Sequence, residues 1–317
     1  MRFSISHLVQ NGFKLIALKD EQSATEIGVA PTFGASLHAF NILVEDKLFN
    51  IIDHYQNFNE AQKQSIVSFK SSKLSPFACR IPDGKYKINE DEFEFTNKFM
   101  DGSAIHGLLH NKAFEIVDEY ADDKMASFIL KYDYKKEDKG YPFHYRCAIR
   151  YLLKPNNLLT VETIISNLSE TDMPLADGWH PYFRLGDNVS DCSLRFNKGD
   201  MVEFNEKLIP TGKLVKYDLF DKEKTLNDIN LDNCFIPDYE QGKSICEIYN
   251  PKNKLKVSFF TDGTYPYLQI YIPGDRQSIA IENLSGAPNC FNNKMGLIML
   301  QPHQSKTFTI QYQPTFG

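Results

Sequence analysis

Apolar and polar residues alternate with a period of two along much of the chain. Leu159, Val161, Thr163 and Ile165 fall on one face of a single run. Glu92-Phe93-Glu94-Phe95-Thr96 alternates cleanly, and so do Phe308, Ile310 and Tyr312 against Thr309, Gln311 and Gln313. Phe13–Leu18 and Ser36–Val44 are further strand candidates. Clusters of Asn, Asp, Gly and Pro separate these runs at short intervals, which reads as antiparallel strands joined by hairpins. A helical pattern fits only two short stretches, Asp53–Ser65 and Thr225–Asn230. Asp133–Lys139 reads as a solvated hairpin tip. There is no βαβ alternation and no GxGxxG after a strand, which disfavours a nucleotide-binding α/β fold. The expectation is an all-β chain with few short helices, residues 1–317 forming a single domain of two large sheets packed face to face.

Composition narrows the function classes. The net charge of −6 and pI near 5.8 argue against nucleic acid or an anionic membrane as partner. No basic segment followed by an apolar run opens the chain, and no apolar run is long enough to span a bilayer. The six cysteines are scattered singly, with no CxxC and no Cys/His ligand spacing, so neither a disulfide scaffold nor a structural zinc site is expected. Reduced thiols in the cytoplasm are the simplest reading. The 24 Phe and 16 Tyr suit pleated, half-buried surfaces.

Candidate chemistry gathers where strands end. Gly178-Trp179-His180-Pro181-Tyr182-Phe183 holds the only tryptophan and a histidine with rigid neighbours. His180 is either a proton-transferring group in a pocket for a small polar ring or a hydrogen-bonded buried turn residue. Trp179 would supply such a pocket with a flat face. Arg80 sits between two prolines and presents a fork of donors suited to oxygens; a surface ion pair is the alternative. His106 precedes Gly107, which permits close backbone approach; a loop histidine is the alternative. His110 lacks such a context and reads as structural. Asp232 lies among apolar residues and can accept two hydroxyls; an Asn-rich turn is the alternative. Period two places Tyr267, Gln269 and Tyr271 on one strand face, opposite Leu268, Ile270 and Ile272. Glu282 shares its side with Ala280, opposite Ile279 and Ile281, and apolar company raises a carboxyl pKa toward that of a general base; a solvated strand-end glutamate is the alternative.

As an ordered set these residues resemble the aldose 1-epimerase (galactose mutarotase) family. The carrying segments are Cys79-Arg80-Ile81, His106-Gly107, His180-Pro181-Tyr182-Phe183, Asp232-Asn233-Cys234-Phe235, Leu268-Gln269-Ile270-Tyr271 and Glu282 followed by Ala287-Pro288-Asn289. The resemblance implies a large galactose mutarotase-like antiparallel β-sandwich with a sugar cleft on one sheet. It implies interconversion of the α and β anomers of a free aldose, with Glu282 as general base and His180 as general acid. Arg80, His106, Asp232 and Gln269 would bind sugar hydroxyls. No metal or organic cofactor is required, the substrate is a small-molecule sugar, and a monomer and a homodimer are both compatible. Three departures mark a divergent subgroup. Cys79 stands where the family has asparagine, Asn289-Cys290 replaces Asp-Ala, and only 13 positions separate Gln269 from Glu282. The alternatives are a hexose-6-phosphate 1-epimerase, for which Lys70, Lys73 and Arg184 are candidate phosphate ligands, and a non-catalytic carbohydrate-binding sandwich.

Overall fold

The computed structural model describes Met1–Gly317. Two extended sheets, all of their pairings antiparallel, supply the frame. The nine-stranded sheet runs in the spatial order Glu115–Ala121, Ala126–Lys135, His144–Lys154, Leu158–Asn167, Ser305–Phe316, Leu255–Thr261, Cys246–Asn250, Ser193–Phe196 and Lys224–Thr225. The eight-stranded sheet runs Pro210–Tyr217, Gly199–Phe204, Asp232–Pro237, Tyr267–Tyr271, Ile279–Leu284, Gly178–His180 and Ser72–Leu74, with Tyr182–Phe183 also paired to Ile279–Leu284. A five-stranded sheet from the first 50 residues packs beside them.

The inner faces interdigitate. Phe183 of the smaller sheet meets Phe259 and Tyr312 of the larger at ring separations of 4.9 and 5.4 Å. One cluster of 65 buried apolar residues runs between these faces and on under the five-stranded sheet, and its hydrophobic burial is the main term holding the layers together. The alternation in Leu159–Ile165 points where period two requires: Leu159, Val161, Thr163 and Ile165 are all buried, while Ile164 is exposed. No helix is long and apolar enough to cross a membrane.

Three local expectations are corrected. The first helix is Phe58–Ser68, not Asp53–Ser65. Its start is fixed by Asn57, whose side chain accepts from the Glu60 backbone N–H, while the Glu60 carboxylate accepts from the Gln56 N–H. Thr225–Asn230 is not helical. Asn227 has φ +39°, and the Leu226 and Asn227 amides bond to Cys192 and Ser190 carbonyls rather than back along their own segment. The segment Asp133–Lys139 is not uniformly solvated, because Asp138 is buried and accepts from the Thr96, Asn97 and Gly140 amides and the Thr96 hydroxyl.

Candidate active site

Four neighbouring strands of the eight-stranded sheet each turn one polar residue to its outer face. Gln269 lies directly across from Glu282 in the ladder. Trp179 pairs with Asn283, which brings His180 beside Glu282. Their side chains meet at 3.4 Å between His180 Nε2 and Glu282 Oε1. Asp232 joins from the next strand, accepting a 2.9 Å bond from Gln269 Nε2. Leu268, Ile270, Ile279 and Ile281 alternate with these groups and anchor in the core, so burial of the inner face fixes where the polar face points.

The facing wall is a two-stranded ribbon, Arg80–Ile81 against Ala104–Ile105. His106 follows directly, and its amide donates to the Cys79 carbonyl at 3.0 Å. Cys79, His106 and Gly107 all have positive φ (54°, 56° and 73°). A Cβ at Gly107 would lie 2.3 Å from the Ser75 carbonyl oxygen, so only glycine allows the loop to lie this close. The His106 ring stands edge-on to His180 at 4.9 Å. Arg80 borders the opening and donates to Asp101 at 3.1 Å.

The two walls enclose a cavity of about 190 Å³. Arg80, His106, His180, Asp232, Gln269 and Glu282 all line it. Trp179 does not, which corrects its expected sugar contact. Its neighbour His180 faces the cavity, so alternation sends the indole into the core, where Nε1 donates to Thr163 and Tyr151 packs edge-on. Lys73, Lys70 and Arg184 also lie outside the cavity. Lys73 is buried against Asp177, Lys70 pairs with Asp53, and Arg184 sits over Phe49.

Burial sets the electrostatics. It pushes the Glu282 carboxyl well above the usual carboxylate range, with Asp232 adding to the effect. It lowers His180 to about 4, and it holds His106 well below an ordinary histidine, with His180 and Arg80 contributing. Asp232 is raised by burial, against the pull of Arg80 and Gln269. Burial, then Glu282, raises the Cys79 thiol, so it is no nucleophile at neutral pH. Glu282 Oε2, Gln269 Oε1 and the Nδ1 atoms of His106 and His180 are buried without a protein partner. Such atoms are rare in protein interiors, and a polar guest in this cavity would satisfy them. His110 has two such nitrogens but stands edge-on to Phe69 and lies outside this cavity.

The profile of the family described as "Aldose 1-epimerase" matches residues 15–313. The chain belongs to this family. Within the aldose 1-epimerase family its sequence relatives are distant. The Escherichia coli (strain K12) protein YihR is 27% identical over 244 residues, covering 73% of this chain and 75% of YihR. The "Bifunctional protein gal10" of Schizosaccharomyces pombe is 24% identical, covering 82% of this chain but 39% of gal10. Among solved structures, a galactose mutarotase-like protein of Clostridium acetobutylicum has a TM-score of 0.88 at 19% identity, covering 100% of this chain and 99% of that one. The galactose 1-epimerase of Lactobacillus acidophilus has a TM-score of 0.81 at 19% identity, with 100% and 99% covered. The fold of this epimerase-family chain is thus galactose mutarotase-like.

Tyr182, expected to offer a flat face beside His180, stacks on it at 5.0 Å, and Tyr271 stands edge-on to Tyr182 at 6.5 Å. Period two had put Tyr271 on the correct face. Val67, Ser68 and Phe69, at the end of the first helix, also line the cavity; nothing in their local pattern points to a site.

Proposed function

We propose that this chain is a mutarotase that exchanges the α and β anomers of a free aldose. The observation that carries the reading is the His180–Glu282 contact at 3.4 Å, with both side chains buried in a cavity lined by further polar groups. One proton shared by this pair gives two forms of equal charge, carboxylic acid with neutral imidazole or carboxylate with imidazolium. Burial favours the first. A sugar favours the second, because its C1 hydroxyl donates to Glu282 while O5 accepts from His180.

The reaction then needs only proton transfers. Glu282 takes the C1 hydroxyl proton as His180 protonates O5, and the C1–O5 bond opens to the aldehyde. Rotation about C1–C2 presents the other carbonyl face. Closure returns both protons by the reverse route. Each positioned group of this kind contributes about 10²–10⁴-fold. Asp232 and Gln269 hold ring hydroxyls on one side, and Arg80 and His106 hold them on the other. We include in this reading a single functional domain over residues 1–317 and a cytoplasmic location, supported by six buried free cysteines.

Nothing in the geometry favours the sugar-phosphate reading. Arg80 is the one lysine or arginine lining the cavity, and Asp101 already engages it. The test is polarimetry on freshly dissolved α-D-glucose and α-D-galactose. Acceleration over the spontaneous rate is expected, and Glu282→Gln and His180→Asn should each lower it about 10²-fold or more with an unchanged circular dichroism spectrum. No acceleration with free aldoses or sugar phosphates would leave carbohydrate binding without catalysis as the better account.

A further inference from the structure

No ligand spacing for a metal is visible along the chain, because the residues concerned lie at positions 79, 106 and 282. Folding brings them together. One ligand atom each from Cys79, His106 and Glu282 lies within 4.8 Å of the other two. All three side chains are buried, with residue exposures of 9%, 8% and 2%. His106 Nδ1 and Glu282 Oε2 have no protein hydrogen-bond partner. Thiolate, imidazole and carboxylate are a donor set suited to zinc. Tetrahedral zinc with bonds of about 2.0–2.3 Å places its ligands about 3.3–3.8 Å apart. The cluster therefore has to tighten by up to about 1–1.5 Å to grip an ion, and rotation about side-chain bonds can supply that.

We propose that Cys79, His106 and Glu282 form a three-ligand site for Zn²⁺ or a similarly thiophilic divalent cation, and that its occupation reversibly blocks the cleft. Binding releases the thiol proton to solvent, passes the proton that Glu282 holds at rest to His180 3.4 Å away, and places the metal on the carboxylate that the anomer exchange needs as base. All three ligands line the cavity, so an ion held by them would occupy space the sugar needs. A bound sugar and the ion therefore exclude one another. The site depends on Cys79, because His106 and Glu282 alone offer the ion only two ligands and no sulfur.

The blocking role rests on the proposed function, whereas the metal site does not. The experiment separates them. Zinc affinity is first measured without sugar, by competition with a chromophoric chelator, on the wild-type chain and on Cys79→Asn. Asparagine is chosen because it tolerates the left-handed backbone at this position (φ +54°), so the loop should keep its shape. Loss of affinity by more than about 100-fold is expected, exceeding what loss of a mere supporting contact causes. Cobalt added in place of zinc should give the wild-type chain a near-ultraviolet thiolate charge-transfer band that Cys79→Asn lacks. Exposed pairs such as His7 with Glu119 bind equally in both proteins and cancel. Zinc should also slow mutarotation of the wild-type chain, with EDTA restoring it. The inhibiting concentration should rise with sugar concentration and by about 100-fold in Cys79→Asn, each protein compared with its own metal-free rate. Equal zinc affinity in the two proteins, or no cobalt–thiolate band, would overturn the site. A chain saturated with zinc that still turned over at full rate would overturn the blocking role. A chain with no mutarotase activity at all would count against the proposed function and leave the affinity result standing.

Discussion

Glu282 and His180 are shifted in opposite directions by the same cause, loss of water, and that predicts a pH profile. The working pair holds one proton. On the acid side it gains a second, the base is lost, and the rate falls. His180, lowered to about 4, is the group that takes that second proton, so the acid limb should lie well below an ordinary histidine. On the alkaline side the shared proton leaves, the acid is lost, and the rate falls again. Glu282, raised well above the carboxylate range, delays that loss. The rate of anomer exchange against pH should be a broad bell whose limbs belong to the pair rather than to either residue. Polarimetry from pH 3 to 10 checks it; an acid limb centred near 6.5, the unperturbed histidine value, would show that His180 is not the lowered member. The residues carrying this chemistry were legible in sequence because each sits in a short motif. Trp179 was misplaced for the reason that placed His180 well: consecutive strand residues face opposite ways, and one motif cannot put both in one cleft.

Elements are where local signals and long-range packing part company. The helix cap at Asn57 lies four positions inside the segment read as helical from Asp53, and the Glu60 carboxylate reaches back to the Gln56 amide beside it. Asn57→Ala removes the acceptor for the Glu60 amide and should cost about 1 kcal/mol. Because the far end of the same helix supplies Val67 to the cavity wall, the sugar KM should rise as well. Thermal melts and KM together check this, and a stability loss with unchanged KM would show that the helix end does not touch the sugar. Gly107 is a sharper case. Its positive φ and its contact with the Ser75 backbone leave no room for a side chain. Gly107→Ala should displace His106 from the cleft and lower kcat/KM at least 10-fold even where the chain still folds, since about 1 Å of misplacement can cost 10²-fold. Thr225–Asn230 shows the limit of local pattern. Its amides are claimed by carbonyls of Ser190 and Cys192, partners more than thirty positions away that no local window contains.

The whole molecule is a sandwich, and period-two alternation made that legible; which strand lies beside which was not, because pairing depends on contacts far apart in sequence. Lys73 shows the consequence. With Lys70 and Arg184 it was a candidate phosphate ligand, but the fold places its side chain fully buried on the edge strand of the active sheet. It bonds Asp177 at 2.5 Å and the Gly178 carbonyl at 3.0 Å, with the Trp179 ring 4.6 Å away. Tyr265 adds a 2.7 Å bond to the same Asp177 oxygen. Removing one partner of a buried ion pair typically costs about 3–5 kcal/mol, because the other charge stays behind. Lys73→Met should therefore destabilise the chain by roughly that amount at pH 7. The cost should also depend on pH. Burial already raises Asp177 above its ordinary value, and loss of Lys73 raises it further. In the variant, the unfolded chain gives up this proton near pH 4 while the folded chain keeps it, so folding stability falls as pH rises through the interval between the two values, by up to about 1.4 kcal/mol per unit. Below about pH 4 both states hold the proton and the charge penalty vanishes. Urea denaturation of wild type and Lys73→Met at pH 4 and pH 7 reads the difference directly. A destabilisation equal at both pH values would mean that lost packing, and not the stranded carboxylate, accounts for the effect.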